Sequence, residues 1–468
     1  MRRMIGIALL ILTLSSCLVG PNYNRPCLDI PQNYMYEFVE GQITSNTLWW
    51  EQFEDSVLDA LIVEALGYNN DIRIAAANIE QALGQLIETR AQLYPQFGYS
   101  GSYTRERLSE NIPQGAFGPN PQTILQLLAN VSWEIDLFGR LRRLTEAARA
   151  DFFATIEARR GIILTITGTV AKAYLTLRGL DEQLSIAKET LDSYAQSLHY
   201  FELQYEYGQV SKINVVQAQT QYELAAASIP QIELQIVQVE NALSVLLGRN
   251  PSNIPRGKSI YELKLPEVPS GIPSEILENR PDVLQAEQNL VAANALIGAA
   301  KALYFPSISL TGAYGAASSS LQNLFSGPSR TWSYMGNFIG PIFTFGRISG
   351  QVQQAVAGRE AALYNYINVI QRAFAEVENA LAARIMLTEQ LKAEERLVKA
   401  SGEYVYFSKL QFNEGYSPYF VVLQAQEQFF PAELSLVQTR VELFSSLVDI
   451  YQAMGGGWVL TAESLTCP

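Results

Sequence analysis

The stretch Leu177-Arg178-Gly179-Leu180-Asp181-Glu182-Gln183-Leu184 opens the pattern that decides the fold. From it the apolar positions continue through Ala187, Leu191, Tyr194, Leu198, Phe201 and Tyr205. Their spacing alternates between three and four residues, the period that holds one seam against a neighbouring helix. Gly208 interrupts the run. The seam then returns as Val215, Ala218, Tyr222, Ala225, Ile229, Ile232, Ile236, Val239, Leu243 and Leu246. Two long helices joined at a glycine turn predict an antiparallel coiled-coil hairpin.

The pattern occurs twice. Gly415 lies 207 residues after Gly208, and the same shift carries Gln217-Ala218-Gln219 onto Gln424-Ala425-Gln426. It also carries the returning seam onto Val422, Ala425, Phe429, Ala432, Leu436, Thr439, Leu443, Ser446 and Ile450. The outgoing helix of the second copy is weaker, because Glu394 and Ser401 interrupt its apolar line. The chain therefore reads as two tandem copies of one unit. Helices of roughly 60 residues near Leu144–Leu203 and Gly350–Gln411 would each run about 90 Å at 1.5 Å per residue. Rods of that length point to reach rather than to a compact catalytic domain.

Composition narrows the function. The chain has 468 residues, a formal net charge of −13 and one histidine, His199. An acidic surface argues against nucleic acid as a partner. A lone histidine between seam positions reads as structural or solvated rather than as a ligand. No P-loop, GxGxxG or GxSxG motif occurs, so neither an enzyme nor any cofactor or metal site is expected.

The N-terminus begins Met1-Arg2-Arg3 and continues with an apolar run from Met4 to Leu14, the form of an export signal. Leu14-Ser15-Ser16-Cys17 resembles a lipobox, which predicts cleavage after residue 16 and acylation of Cys17. An ordinary signal peptide with an incidental cysteine is the alternative. Leu18 is not the aspartate that retains lipoproteins on the inner membrane, so the outer membrane is indicated. Residues 17–48 read as an extended, lipid-anchored arm. Cys27 and Cys467 remain, either as a pair or as two free thiols.

Between helices the period changes to two. Phe97, Tyr99 and Tyr103 alternate with polar residues. Leu125, Leu127, Ala129, Val131, Trp133, Ile135 and Leu137 then share one face, while Gln126, Leu128, Asn130, Ser132, Glu134 and Asp136 mark the other. In the second copy, Ile308, Leu310 and Tyr314 alternate with serine and threonine before a Gly/Ser loop read at 316–329. Trp332, Tyr334 and Phe338 follow. Such runs match membrane-barrel strands, with Glu134 and Asp136 facing a wet lumen and favouring cations. A half-buried soluble sheet is the bland alternative. Four strands cannot close a barrel, and open edges in lipid leave backbone groups unsatisfied. Several chains must share one, and three would give twelve strands with room for a channel. The fold class is thus mainly α with membrane β. Residues 49–248 form the first repeat, 249–274 a connector with a β-like run at 259–265, 275–454 the second repeat, and 455–468 a tail.

Motifs along the mature chain sharpen this. They include Gly20-Pro21-Asn22-Tyr23, Trp49-Trp50 with Phe53, Asp55 and Leu58, and Trp133 through Arg143. They continue with Leu246-Leu247-Gly248-Arg249, Arg280-Pro281-Asp282-Val283 and Phe305-Pro306-Ser307-Ile308-Ser309-Leu310. Together they resemble the TolC/OprM-like outer-membrane efflux family in its lipoprotein branch. The resemblance implies a homotrimer with a twelve-stranded outer-membrane barrel and a periplasmic α-helical tunnel. It also implies a periplasmic adaptor (membrane fusion) protein and an inner-membrane RND-type pump as partners. The protein would be a passive conduit for small molecules. A duct for protein secretion shares the architecture, and a lipid-tethered coiled-coil spacer is the reading from another class.

In the family, the adaptor contacts the hairpin turns, which here are Gly208, Gln209, Val210 and Ser211, and Gly415, Tyr416 and Ser417. The family's gate usually carries aspartates just past these glycines. This sequence departs from it, with Asn214, Val421 and Gln424 at the matching positions and Phe420 beside them. The expected periplasmic gate is therefore a constriction of Phe420 and Gln424 without an acidic ring.

Overall fold

The computed structural model describes residues 18–28, 31, 34–36, 48–109, 111, 119–266, 278–455 and 458–466. The expected signal segment, Cys17 and Cys467 lie outside the described residues. Cys27 is exposed.

A short 3-10 turn, Trp49–Phe53, leads into helix α1, Ser56–Tyr68. Asp55 starts that helix. Its Oδ1 accepts from the Val57 N–H at 2.9 Å, while Oδ2 accepts from the Tyr174 hydroxyl at 2.8 Å and the Lys258 N–H at 3.1 Å. The carboxylate is 2% exposed, and three donors compensate its burial. Asn69 repeats the device for α2, Asn70–Ala91, where its Oδ1 accepts from the N–H groups of Asp71 and Ile72.

Strands β1, Gln96–Glu106, and β2, Gln122–Ile135, precede the first long helix, α3, Arg140–Glu206. Helix α4, Lys212–Leu246, returns. The second copy follows the same order. Helix α5, Pro281–Ala302, leads to β3, Ser307–Ser318, and β4, Arg330–Ile339. Then come α6, Arg347–Asn413, α7, Tyr419–Met454, and the short α8, Trp458–Glu463. Both α3 and α6 are 67 residues long. Pro230 and Pro431 lie within α4 and α7, which continue through them. Among the described residues no helix is long and apolar enough to cross a membrane.

The chain divides into two compact units, and each draws on both copies. One takes residues up to Cys27, Asn78–Thr155 and Gln285–Tyr366. The other takes Leu28–Ala77, Ile156–Leu284 and Ile367–Pro468. The second unit holds the main core. There Trp49 stacks on Tyr451 at 5.6 Å, and Trp458 meets both Trp49 and Trp50 edge-on. The seam residues Leu180, Ala187, Ile232, Ile236 and Leu243 are buried with them. Ser401, which breaks the apolar line of α6, is buried because its hydroxyl donates back to the Leu397 carbonyl at 2.8 Å.

The first unit carries one antiparallel sheet in the order β1-β2-β3-β4. Hairpins join β1 to β2 and β3 to β4, and β2 pairs with β3 across the two copies. Every residue of β1 is exposed, and β4 is exposed except at two positions.

Two expectations change. Strand β3 runs to Ser318, into the stretch read as loop, because Ala316, Ala317 and Ser318 pair with Leu127, Gln126 and Leu125. The run 259–265 is turn rather than strand. The N–H groups of Glu262 and Leu263 both donate to the Ser259 carbonyl. Ile260 and Leu263, three apart, are both buried in the core, which is helical-turn spacing and not alternation.

Candidate functional site

The two hairpin turns are built alike. The Gly208 N–H donates to the Tyr205 carbonyl at 3.0 Å, and Gln209 reaches back to Gln204 at 2.8 Å. At the second turn Gly415 donates to Phe412 at 3.0 Å and Tyr416 to Gln411 at 2.9 Å. This double closure needs a left-handed residue, and φ is +73° at Gly208 and +80° at Gly415. Among the described residues, no atom beyond the glycine and its chain neighbours lies within 4 Å of the place a Cβ would take at Gly208 or Gly415. The backbone alone, not crowding, demands glycine here.

The exits differ. Ser211 caps α4 by accepting from the Ile213 N–H at 3.1 Å, whereas Pro418 supplies no side-chain cap to α7. Packing replaces the missing cap. Tyr419 is buried against Phe201 and Phe412, with ring centroids 4.0 and 5.4 Å away. Val215, Ala218, Val422 and Leu423 complete one apolar cluster drawn from both hairpins. Burial pushes the Tyr419 hydroxyl up from its usual range, partly offset by its hydrogen bond with Ser197. Further along, the Gln221 amide donates to Glu427 Oε1 at 2.9 Å. Sequence reasoning missed Tyr419, Gln221 and Glu427. Carrying the α7 seam one turn back from Val422 would have reached Tyr419.

The expected adaptor-contact residues Gly208, Gln209, Ser211, Gly415 and Tyr416 are exposed, while Val210 and Ser417 are half-buried. Of the expected gate residues, Phe420 is 60% exposed and Gln424 is exposed. Four residues apart, they share one helix face, away from the buried positions 419, 422 and 425. Asn214 and Val421 are half-buried in first turns, each N–H donating to a carbonyl three residues back.

Glu134 and Asp136, the carboxylates expected to face a lumen, both have partners within the chain. Glu134, the last residue but one of β2, forms a salt bridge to Arg140, 2.9 Å away. Asp136 lies beyond the strand and accepts from the N–H groups of Leu141 and Arg142 and from the Arg142 guanidinium. It is a helix-start cap, placed where the N-terminal N–H groups and the dipole favour an anion. Neither carboxylate is without a charged partner. Glu134 and Arg140 border a cavity of about 420 Å³ with Phe138, Phe305, Pro306 and Pro341.

The N-terminal arm is held in the same unit. The buried Arg143 donates to the carbonyls of Val19 and Gly20 and to Asn22 Oδ1. The Val19 N–H donates to the Phe138 carbonyl at 3.3 Å. Tyr23 and Arg25 both bind Glu287 of α5. The arm thus begins beside the residues that join β2 to α3.

Comparison with known proteins agrees with this architecture. The sequence model of the "Outer membrane efflux protein" family matches residues 61–249 and 272–456. The probable efflux pump outer membrane protein TtgC of Pseudomonas putida is 33% identical over 464 residues, 98% of this chain and 96% of the relative. The cation efflux system protein CusC of Escherichia coli is 33% identical over 456 residues, 96% of this chain and 97% of the relative. Among solved structures, the Campylobacter jejuni CmeC outer membrane channel superposes with a TM-score of 0.89 at 28% identity, covering 94% of this chain and 95% of that one. The open-state MtrE outer membrane channel of Neisseria gonorrhoeae gives 0.86 at 30% identity, covering 94% and 99%. With duplicated helical hairpins, a four-stranded sheet and matches along nearly its whole length, the chain belongs to the outer membrane efflux protein family.

Proposed function

We propose that three copies of this chain close a twelve-stranded barrel in the outer membrane and form a passive export conduit. The observation that carries the reading is the open sheet. Among the described residues, the outer edges of β1 and β4 find no partner strand. In lipid, each unsatisfied backbone group costs several kcal/mol. Twelve strands from three chains remove every edge.

In this reading Cys17 carries lipid that anchors the arm, in keeping with the seating of Leu18 and Val19 beside Phe138 and Gly139. The turns at Gly208–Ser211 and Gly415–Ser417 meet a periplasmic adaptor, which links the channel to an inner-membrane RND-type pump. Phe420 and Gln424 line the resting constriction, with Val421 and Asn214 in the turns behind them. The residue domains 49–248 and 275–454 act as paired halves joined by 249–274. The cargo is small molecules, in keeping with relatives named as cation, toluene and antibiotic efflux proteins.

The test is mass and conductance. Purified in detergent, the protein should have the mass of three chains and conduct in planar bilayers. Replacing Phe420 and Gln424 by alanine should raise that conductance. A monomer that conducts nothing would overturn the reading, and unchanged conductance would remove the two residues as the gate.

A further inference from the structure

The duplication measures more than ancestry. Gln96 stands opposite Ser132 in the first hairpin, and Ser307 stands opposite Ile339 in the second. Ser307 is 211 positions after Gln96 (307 less 96), and Ile339 is 207 after Ser132 (339 less 132). These two offsets carry ten of the eleven pairs of the β1-β2 ladder onto the β3-β4 ladder, all but Glu106-Gln122, as Tyr99 with Ala129 becomes Leu310 with Gly336. The two copies therefore keep one register, with β1 equivalent to β3 and β2 to β4.

The β2-β3 ladder is then a template. It joins the second strand of one copy to the first strand of the next, and its equivalent would join β4 of one chain to β1 of another. We infer that this junction forms between adjacent copies with the register of β2-β3, placing Asn337 of one chain opposite Ser102 of its neighbour. The inference rests on the trimeric reading above and adds the pairing that closes it.

The template pairs Asn130-Ala313, Trp133-Leu310, Val131-Gly312 and Ala129-Tyr314 supply the map. They become Asn337-Ser102, Gly340-Tyr99, Phe338-Gly101 and Gly336-Tyr103. Two features go with this register, the first a consequence of the template and the second independent of it. First, the faces match. Phe97, Tyr99 and Tyr103 share a face with Val131, Ala129 and Leu125, which pair with Gly312, Tyr314 and Ser318; Gly312 and Tyr314 pair in turn with Tyr334 and Trp332, and Phe338 pairs with Ile308 on the same face. The derived junction keeps that aromatic face continuous, whereas a slip of one residue would turn it inward. Second, three aromatic rings each lie opposite a glycine, and an aromatic covers a glycine's bare backbone well on a sheet. A slip of two residues would set Tyr103 against Phe338 and Gly101 against Gly340. The rings in question are free to do this in a single chain, since Tyr99 is 89% exposed and Phe338 71%.

Cysteine pairs test the register. In a background with Cys27→Ser and Cys467→Ser, the pairs Ser102→Cys with Asn337→Cys, Ser100→Cys with Asn337→Cys, and Thr104→Cys with Asn337→Cys are oxidised with copper–phenanthroline. Each is first checked for trimeric mass. Directly opposed residues lie about 4.5–5.5 Å apart at Cα, within disulfide reach, while diagonal neighbours at about 7–8 Å are not. Only the Ser102/Asn337 pair should run as covalent dimer and trimer on a non-reducing gel, at least ten times the yield of the other two, and neither single variant should link. Preferential linkage at Ser100 or Thr104, or no linkage in protein that is trimeric, would overturn the register while leaving the trimer intact. A monomeric mass would instead overturn the trimeric reading.

Discussion

The rings of Phe201 and Tyr419 lie 4.0 Å apart, centroid to centroid, and join the turn of one helical hairpin to the turn of the other. Phe201 is 1% and Tyr419 7% exposed, so each fills space that the other hairpin needs filled. Truncating a buried aromatic to alanine costs about 3–5 kcal/mol. Phe201→Ala and Tyr419→Ala should therefore destabilise by about 3 kcal/mol each, and the double variant by less than the sum because both empty one cluster. Denaturant titration reads the energies, and bilayer conductance should rise in both.

Gly415→Val and Gly208→Val should each lose about 1–2 kcal/mol, since a β-branched residue resists left-handed φ and no neighbour compensates. Thermal unfolding followed by circular dichroism checks this. A value near zero would show that the turn can reclose without its left-handed residue.

Glu433 is half-buried near Glu189, and burial first, then that like charge, pushes its carboxyl up to about 7. A carboxyl raised in the folded state binds its proton more tightly there than in the unfolded chain. Its stabilising protonation is fully present below the usual glutamate range and is lost as pH rises through about 7. Glu433→Gln should flatten the fall in stability between pH 5 and pH 8. At pH 8 the variant should be more stable by about 1 kcal/mol, after allowing for solvent screening of a half-exposed group. Urea midpoints at the two pH values read the difference, and parallel curves for the two proteins would refute it.

Arg143→Ala should release the arm, because it removes donors to Val19, Gly20 and Asn22 together. Limited proteolysis between Asn22 and Cys27 should speed up at least several-fold, while the protein stays with the outer-membrane fraction if lipid holds it. Cleavage at the wild-type rate would mean that Tyr23 and Arg25 on Glu287 suffice.

With Glu134 paired to Arg140 and Asp136 spent on capping, the channel should show little cation preference from this end of the sheet. A reversal potential near zero in a tenfold salt gradient is expected, and Glu134→Gln, which leaves Arg140 an unpaired cation, should shift it toward anion preference.

Much of the fold was legible because its period is long and its partner is local. The seams at 180–201 and 215–243 could be read from spacing alone, and they are the buried lines of α3 and α4. The strands were legible for the same reason. Tyr419 was not, since its equivalent in the first copy is Lys212 and the comparison of copies hid it. The cap role of Asp136 was hidden because alternation in the sequence continues one residue past β2, where α3 has already begun to recruit its cap. The pairing of Gln221 with Glu427 depends on how two hairpins face each other, which no one-dimensional period encodes.

The ladder between β2 and β3 has a consequence for how such a molecule is put together. Every chain already contains a worked example of the joint it must make with a stranger, so folding rehearses assembly. A gene cut between its two halves would code for pieces meeting around a ring of six near-equal joints, and the intact chain makes half of those joints before any encounter takes place.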